Sequence, residues 1–224
     1  MDYRTVLLLL AVGSNLGLAF FIFFKDSRSK VNVLFSFLLI SISFWSFVLA
    51  MFYASDNILQ ASFWVNLSGV FALFISLSFY YFCRNFPFRL KSISFYIDFL
   101  NILVFLLVLI LLMRFGLWRV LAFNKSLGHP SVVNPIGYIP FTCYFVFYIS
   151  LSFIELFKKL TSSSSYQRRL IKIVFTSTFL AAIFGTFFNL LLPIISFQFV
   201  WLGPLFTMVM VFIIVRYLFI KTPE

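Results

Sequence analysis

The chain has 224 residues, of which 63% are hydrophobic, 22% aromatic and 10% charged, with a mean hydropathy of +1.09 and a formal net charge of +11. A water-soluble domain of this size cannot hide so much apolar surface, so the surrounding solvent must itself be apolar, and a bilayer is that solvent. The basic residues stand between hydrophobic runs and form no contiguous basic surface on a soluble module, which excludes nucleic acid as a partner and makes the lipid bilayer the first one.

The apolar runs are near-continuous and about 20 residues long, which predicts helices; a β-barrel would show short segments alternating in hydropathy. The first run, residues 6–24, follows a nearly neutral start, Met1-Asp2-Tyr3-Arg4. It reaches the basic stretch Lys25-Asp26-Ser27-Arg28-Ser29-Lys30 without a small-residue cleavage site, so it reads as a retained helix and not a signal peptide. Gly13 and Gly17 offer it a small-residue patch for close helix packing. The second span, 31–53, carries Trp45 at its middle, where interhelical packing is the expected role. The third, 63–83, opens on Trp64, Asn66, Ser68 and Gly69; the fourth, 93–113, holds Asp98, expected to pair with a loop Lys or Arg.

The connection 114–135 contains Trp118, Arg119, Asn124, Lys125, His129 and Pro130, enough to cap the bundle or contribute to a site. The fifth span, 136–157, carries Tyr144, Tyr148 and Glu155. Beyond it the connection 158–169 includes Thr161-Ser162-Ser163-Ser164-Ser165, which cannot form a packed core and is expected to be a mobile loop. In the sixth span, 170–192, Ser177, Ala181, Gly185 and Asn189 recur every four residues, a narrow stripe that should face protein. The seventh, 199–220, begins near Trp201 and ends before Lys221. At 1.5 Å per residue each span covers a hydrocarbon core of about 30 Å.

Charge sets the expected orientation. Lys25, Arg28 and Lys30, then Arg84, Arg89 and Lys91, then Lys158, Lys159, Arg168, Arg169 and Lys172, and finally Arg216 and Lys221 fall on one side of an odd-numbered bundle. Arg4, Arg114, Arg119 and Lys125 fall on the other. The positive-inside rule makes the first side cytoplasmic. The expected fold is therefore all-α: one polytopic domain over residues 1–224, a seven-transmembrane helix bundle with the N-terminus outside and the C-terminus cytoplasmic. Trp64, Trp118 and Trp201 at the outer ends agree with it.

Chemistry is sparsely supplied. There is no acid pair with a nearby histidine, no Ser-His-Asp set, no Gly-rich loop followed by a phosphate-binding Lys, and too few ligands around Cys83, Cys143 and His129 for a metal. The seventh span has no interior lysine for a retinal Schiff base. An enzyme is not expected, nor a cofactor. Trp64, Asn66, Tyr144, Tyr148, Asn189 and Trp201 are the candidate residues for either an outward-open pocket with an aromatic wall or plain interhelical packing.

The ordered pattern resembles the N-terminal seven-transmembrane sensor region of bacterial histidine kinases. The resemblance runs from Ser14-Asn15-Leu16-Gly17 through the basic turn ending at Lys30, Phe44-Trp45-Ser46, Phe63-Trp64 with Gly69, and Phe79-Tyr80-Tyr81-Phe82 with Phe86-Pro87. It continues at Arg168-Arg169-Leu170, at Gly185-Thr186-Phe187-Phe188-Asn189-Leu190-Leu191-Leu192-Pro193, at Leu202-Gly203-Pro204-Leu205 and at Arg216-Tyr217. It implies a sensor in the bacterial plasma membrane that detects a small-molecule or lipid cue, acts as a homodimer or with a separate cytoplasmic signalling partner, and passes a conformational change to the inner face; the stripe running to Asn189, with Pro193 and Pro204 flanking the outer turn, suggests that the cue shifts the packing of the sixth and seventh helices. The 224 residues contain no phosphoacceptor histidine segment or ATP-binding domain, so this chain is expected to be a standalone relative, a fragment, or a receptor with a separate output. The other readings are a small-solute transporter, with a three-plus-one-plus-three layout but no evident repeat, and an accessory or structural membrane subunit.

Overall fold

The computed structural model describes residues 2–89, 95–122, 124, 129 and 131–220. Its helices are α1 (Tyr3–Lys25), α2 (Lys30–Ala54), α3 (Ile58–Asn85), α4 (Phe95–Phe115), α5 (Pro135–Ser162), α6 (Ser165–Thr186) and α7 (Leu202–Val215), with a two-stranded hairpin, β1 (Trp118–Val120) and β2 (Ser131–Val133), between α4 and α5. α6 continues as a π-helical turn, Phe187–Leu191, and a 3-10 turn, Leu192–Ile194; α7 follows a 3-10 turn, Phe197–Phe199, and ends in a π-helical turn, Arg216–Ile220. Polar side chains start the first three helices by accepting from the otherwise unpaired N–H groups of the first turn: Asp2 from Arg4, Ser29 from Asn32 and Asn57 from Gln60. Among the described residues, seven helices are long and apolar enough to cross a membrane, the composition of a multi-pass membrane protein.

As far as the described residues go, each expected span coincides with one of these helices and its continuation, with three differences in detail. The third helix starts at Ile58, several residues before 63, because Asn57 supplies a cap there. The serine-rich connection is helical almost throughout: α5 runs to Ser162 and α6 begins at Ser165, leaving Ser163 and Ser164 between them. The hydroxyls of Thr161, Ser162 and Ser163 donate back to the carbonyls of Lys158 and Lys159, so this polar stretch satisfies itself locally as helix and does not form the expected mobile loop. The hairpin is an addition to the all-α expectation, pairing Trp118 with Val133, Arg119 with Val132 and Val120 with Ser131. Ile93, Lys91, Lys125, Pro130 and residues 221–224 lie outside the described residues.

Five helices form a ring. α2 packs on α3, α3 on α5, α5 on α6, α6 on α7 and α7 on α2, while α1 lies outside against α2 and α7, and α4 outside against α3 and α5. Hydrogen bonds from Ser43 Oγ to the Val12 carbonyl (2.9 Å) and from Asn32 Nδ2 to the Ile22 carbonyl (3.4 Å) tie α2 to α1. Large apolar side chains such as Leu10, Phe24, Leu59, Ile110, Met113 and Ile195 point outward, as lipid-facing groups do. Gly13 and Gly17 point outward with them: a Cβ on either meets nothing within 4 Å. The buried face of α1 is instead Leu8, Ala11, Asn15, Ala19 and Ile22, so the expected glycine packing patch is on the opposite side.

The two ends of the bundle are built differently. At the hairpin end Gly116 leaves α4 with φ +69, a conformation suited to glycine. Its carbonyl lies only 1.9 Å from where a Cβ on Gly137 of α5 would stand. His129, fully buried, packs its ring against Phe52 and accepts at Nδ1 from the Asn124 N–H (3.1 Å), so this connection caps the bundle. At the opposite, basic end, the fully buried Lys159 ammonium donates to the carbonyls of Cys83 (2.7 Å), Arg84 (2.8 Å) and Phe86 (2.8 Å), closing the C-terminus of α3 from α5. Arg84 pairs with Asp98 at 2.5 Å, and Tyr81 donates to the same carboxylate at 3.3 Å. Lys25 donates to the Phe219 carbonyl, joining α1 to the final turn.

Candidate functional site

Inside the ring is a cavity offering about 120 Å³ to the centres of water-sized spheres. One water needs roughly 10–15 Å³ by that measure, so the space is larger than an ordinary packing defect. Each ring helix contributes residues at helical spacing: Leu38, Ile42, Trp45 and Leu49 from α2; Val65, Ser68, Ala72, Ile75 and Phe79 from α3; Tyr138, Phe141, Phe145 and Ile149 from α5. Thr178, Ala181, Ala182 and Gly185 come from α6, Asn189 from the π-helical turn that continues it, and Thr207 and Met210 from α7. Leu117, Trp118, Phe197 and Val200 complete the wall at the hairpin end.

The cavity exists because small residues meet there. Ala181, Ala182 and Gly185 hold the wall of α6 back, and a Cβ on Gly185 meets nothing within 4 Å. Gly69 behaves differently, since a Cβ there would stand 2.4 Å from Leu117 Cδ1, so the space beside Gly69 is filled by the connection to the hairpin. The Trp118 ring meets Phe197 edge-on at 4.7 Å, and both are buried. The hairpin end is roofed, and the expected outward-open pocket is a covered one.

Among the described residues no charged side chain lines the cavity. Four of its hydroxyl groups already donate to backbone: Ser68 to Val65 (2.7 Å), Thr178 to Val174 (2.6 Å), Thr207 to Pro204 (2.7 Å) and Tyr138 to Leu190 (2.7 Å). Asn189 differs. Its Nδ2 donates to the Gly185 carbonyl at 3.2 Å, while its buried Oδ1 has no partner among the described residues. Such an arrangement accommodates an apolar occupant with one hydrogen-bond donor near Asn189. Among the described residues its wall holds no carboxylate, imidazole, thiol or ammonium group.

Of the six residues singled out from the sequence, Asn189 lines this cavity and the other five do not. Asn66 sits beneath the hairpin, where its Oδ1 accepts from the N–H groups of Leu117 (2.6 Å) and Trp118 (2.9 Å) and its Nδ2 donates to the carbonyls of Ser62 (2.8 Å) and Trp118 (3.0 Å). All its hydrogen-bonding capacity goes to holding the roof. Tyr144 and Tyr148 face the α3–α4 side of α5, with their rings 4.4 Å apart, the Tyr148 hydroxyl on Asn101 Oδ1 (2.8 Å) and its ring against Tyr80. Trp64 packs on Phe47 and Phe63, and Trp201 on Tyr3.

The aromatic wall from α5 is instead Tyr138, Phe141 and Phe145, a different phase of the same helix. That phase is not readable from hydropathy, because both faces of α5 are aromatic. Trp45, expected to pack between helices, is buried and lines the cavity. The α6 stripe was a usable signal: Ala181, Gly185 and Asn189 face inward as expected. Comparison of the chain with family models, with curated proteins and with solved structures finds no match.

Proposed function

We propose that this chain is a membrane-embedded receptor module of the kind that precedes bacterial histidine kinases, lying in the plasma membrane with its basic end in the cytoplasm and relaying the presence of a cue to a cytoplasmic output. The observation that carries this reading is the largely apolar cavity at the centre of the five-helix ring, roofed at the hairpin end. Two of the helices that bound it, α6 and α7, also bound a basic groove toward the other end, lined by Arg168, Arg169, Lys172 and Tyr217. An occupant that changes how α6 packs on α7 therefore has a mechanical route to charged residues at the end opposite the roof. The route transmits a signal only if the two packings differ in affinity for the occupant. The alternation of basic residues supports the orientation, and the ordered motifs support the kinship.

A side chain placed in the cavity can stand in for the cue. Spin labels at Arg28→Cys, in the α1–α2 turn, and Arg168→Cys, at the base of α6, are introduced in a Cys143→Ser background and compared with and without Gly185→Leu. The receptor reading expects the distance distribution between the labels to shift when the cavity is filled. An identical distribution in a protein with an intact unfolding transition would overturn it.

A further inference from the structure

The shape and chemistry of the cavity identify the class of its occupant. We infer that it takes a single hydrocarbon chain ending in an uncharged hydroxyl-bearing group, admitted sideways from the bilayer between α5 and α6. This deepens the receptor reading and rests on it for the statement that the occupant is the cue.

Length is the first argument. From Val65 to Phe79 along α3 the wall rises about 21 Å, and from Tyr138 to Ile149 along α5 about 16 Å, at 1.5 Å per residue. One leaflet of a hydrocarbon core is about 15 Å thick, so the cavity matches the reach of one lipid chain. About 120 Å³ open to the centres of water-sized spheres along that length is room for one hydrocarbon chain.

Access is the second. The roof of Trp118 and Phe197 blocks approach along the bundle axis at the hairpin end. On the α5–α6 side the helices are joined at two levels. Nearer the roof, the Tyr138 hydroxyl bonds the Leu190 carbonyl at 2.7 Å; nearer the basic end, Phe153 packs on Phe175 and Phe179 at 5.4 and 5.6 Å. Between those levels Phe145 and Ile149 of α5 and Ala182, Gly185 and Thr186 of α6 are half-buried and belong to the cavity wall, with no contact of the kind that joins the helices above and below. Alanine and glycine on one side of the gap leave it unfilled, and a Cβ on Gly185 finds open space. This window lies in the apolar belt of the bundle, where only groups already dissolved in lipid can reach it.

The head group follows from the polar inventory. Among the described residues no charge in the wall can compensate a carboxylate, phosphate or ammonium, whereas Asn189 Oδ1, buried and without a partner among them, can accept a hydrogen bond, with the Thr186 hydroxyl also in the wall. A hydroxyl at the end of the chain supplies that donor at the level of the Tyr138–Leu190 contact.

The test uses the full chain purified into phosphatidylcholine vesicles that carry one of three photoreactive probes with the same diazirine-bearing chain: a long-chain alcohol, the matching fatty acid, or a phosphatidylcholine. Adducts are mapped by mass spectrometry after illumination. The expected result is labelling of the α5 and α6 wall by the alcohol above the other two, lost in Gly185→Leu and in the independent window variant Ala182→Leu, and retained in the outward-facing control Gly13→Leu. Labelling confined to lipid-facing residues and unchanged in both window variants overturns the proposal. Equal wall labelling by the fatty acid or the phospholipid overturns the uncharged hydroxyl-bearing head. Wall labelling by the alcohol without any shift between the basic-end labels removes the receptor reading and leaves the chain site standing. A label shift without wall labelling does the reverse.

Discussion

Asn66 illustrates how one amide can hold a long connection in place. Two backbone N–H groups and one carbonyl of Leu117 and Trp118 end on its side chain, and none of them has a strand partner on that side. Replacing it with leucine orphans both N–H groups beneath the hairpin, each at about 1–3 kcal/mol, so Asn66→Leu should lower unfolding stability in detergent by roughly 2–4 kcal/mol. Lys159 plays the matching role at the basic end. In sequence it is indistinguishable from Lys158, and both read as loop cations; the phase of α5 separates them, since Ser152, Leu156 and Lys159 share its buried face while Lys158 is exposed. Lys159→Met should leave three carbonyls of the α3 terminus without their donor and cost about 2–3 kcal/mol, whereas Lys158→Met should stay within about 0.5 kcal/mol in the same unfolding measurement. Asn66 was legible as a polar group in a span, and its partners were not, because they lie about fifty residues away in a connection whose path no local pattern dictates.

At the scale of elements, the start of α7 fits closely against the end of α6. A Cβ on Gly203 would stand 1.6 Å from Asn189 Nδ2 and 2.7 Å from its Cγ, so any larger residue where α7 starts beneath the π-helical turn of α6 requires the Asn189 amide to move. Widening of that turn places Asn189 between the cavity and Gly203. Gly203→Ala should therefore destabilise the protein by about 1–2 kcal/mol, and the cost should largely vanish in an Asn189→Ala background, where the obstructing amide is gone. Additive losses in the double variant would show that the two residues are not in contact. The sequence displayed both residues and the four-residue stripe leading to Asn189, and from these the inward face of α6 was readable. The role of Gly203 was not, because a glycine after a turn has several uses and the distance to a neighbouring helix decides among them. Gly13 and Gly17 show the converse: their spacing suggested a packing face, yet larger residues at Leu8, Asn15 and Ile22 already occupy the buried side of α1.

For the whole molecule, span number and chain order were legible because bilayer thickness forces helix length, while the ring was not. A helix such as α4 is apolar all round, and hydropathy cannot say whether it stands in the ring or outside it. Orientation rests on a different physical term, the placement of cations, and it has its own test. Asp56 in the α2–α3 turn and Ser164 in the α5–α6 turn are exposed at opposite ends of the bundle, so a cysteine at either reports which side of the membrane that end occupies. Cys143 is exposed and Cys83 buried, so a Cys143→Ser background removes the reactive native thiol. In intact cells a membrane-impermeant maleimide should label Asp56→Cys, and Ser164→Cys should react only after the membrane is permeabilised. The reverse pattern would turn the bundle over and place the basic groove outside, leaving the signalling route from cavity to cytoplasm without a receiver. Labelling of both positions from one side would break the alternation itself, since α3, α4 and α5 together carry the chain from the first turn to the second and an odd number of crossings must separate them.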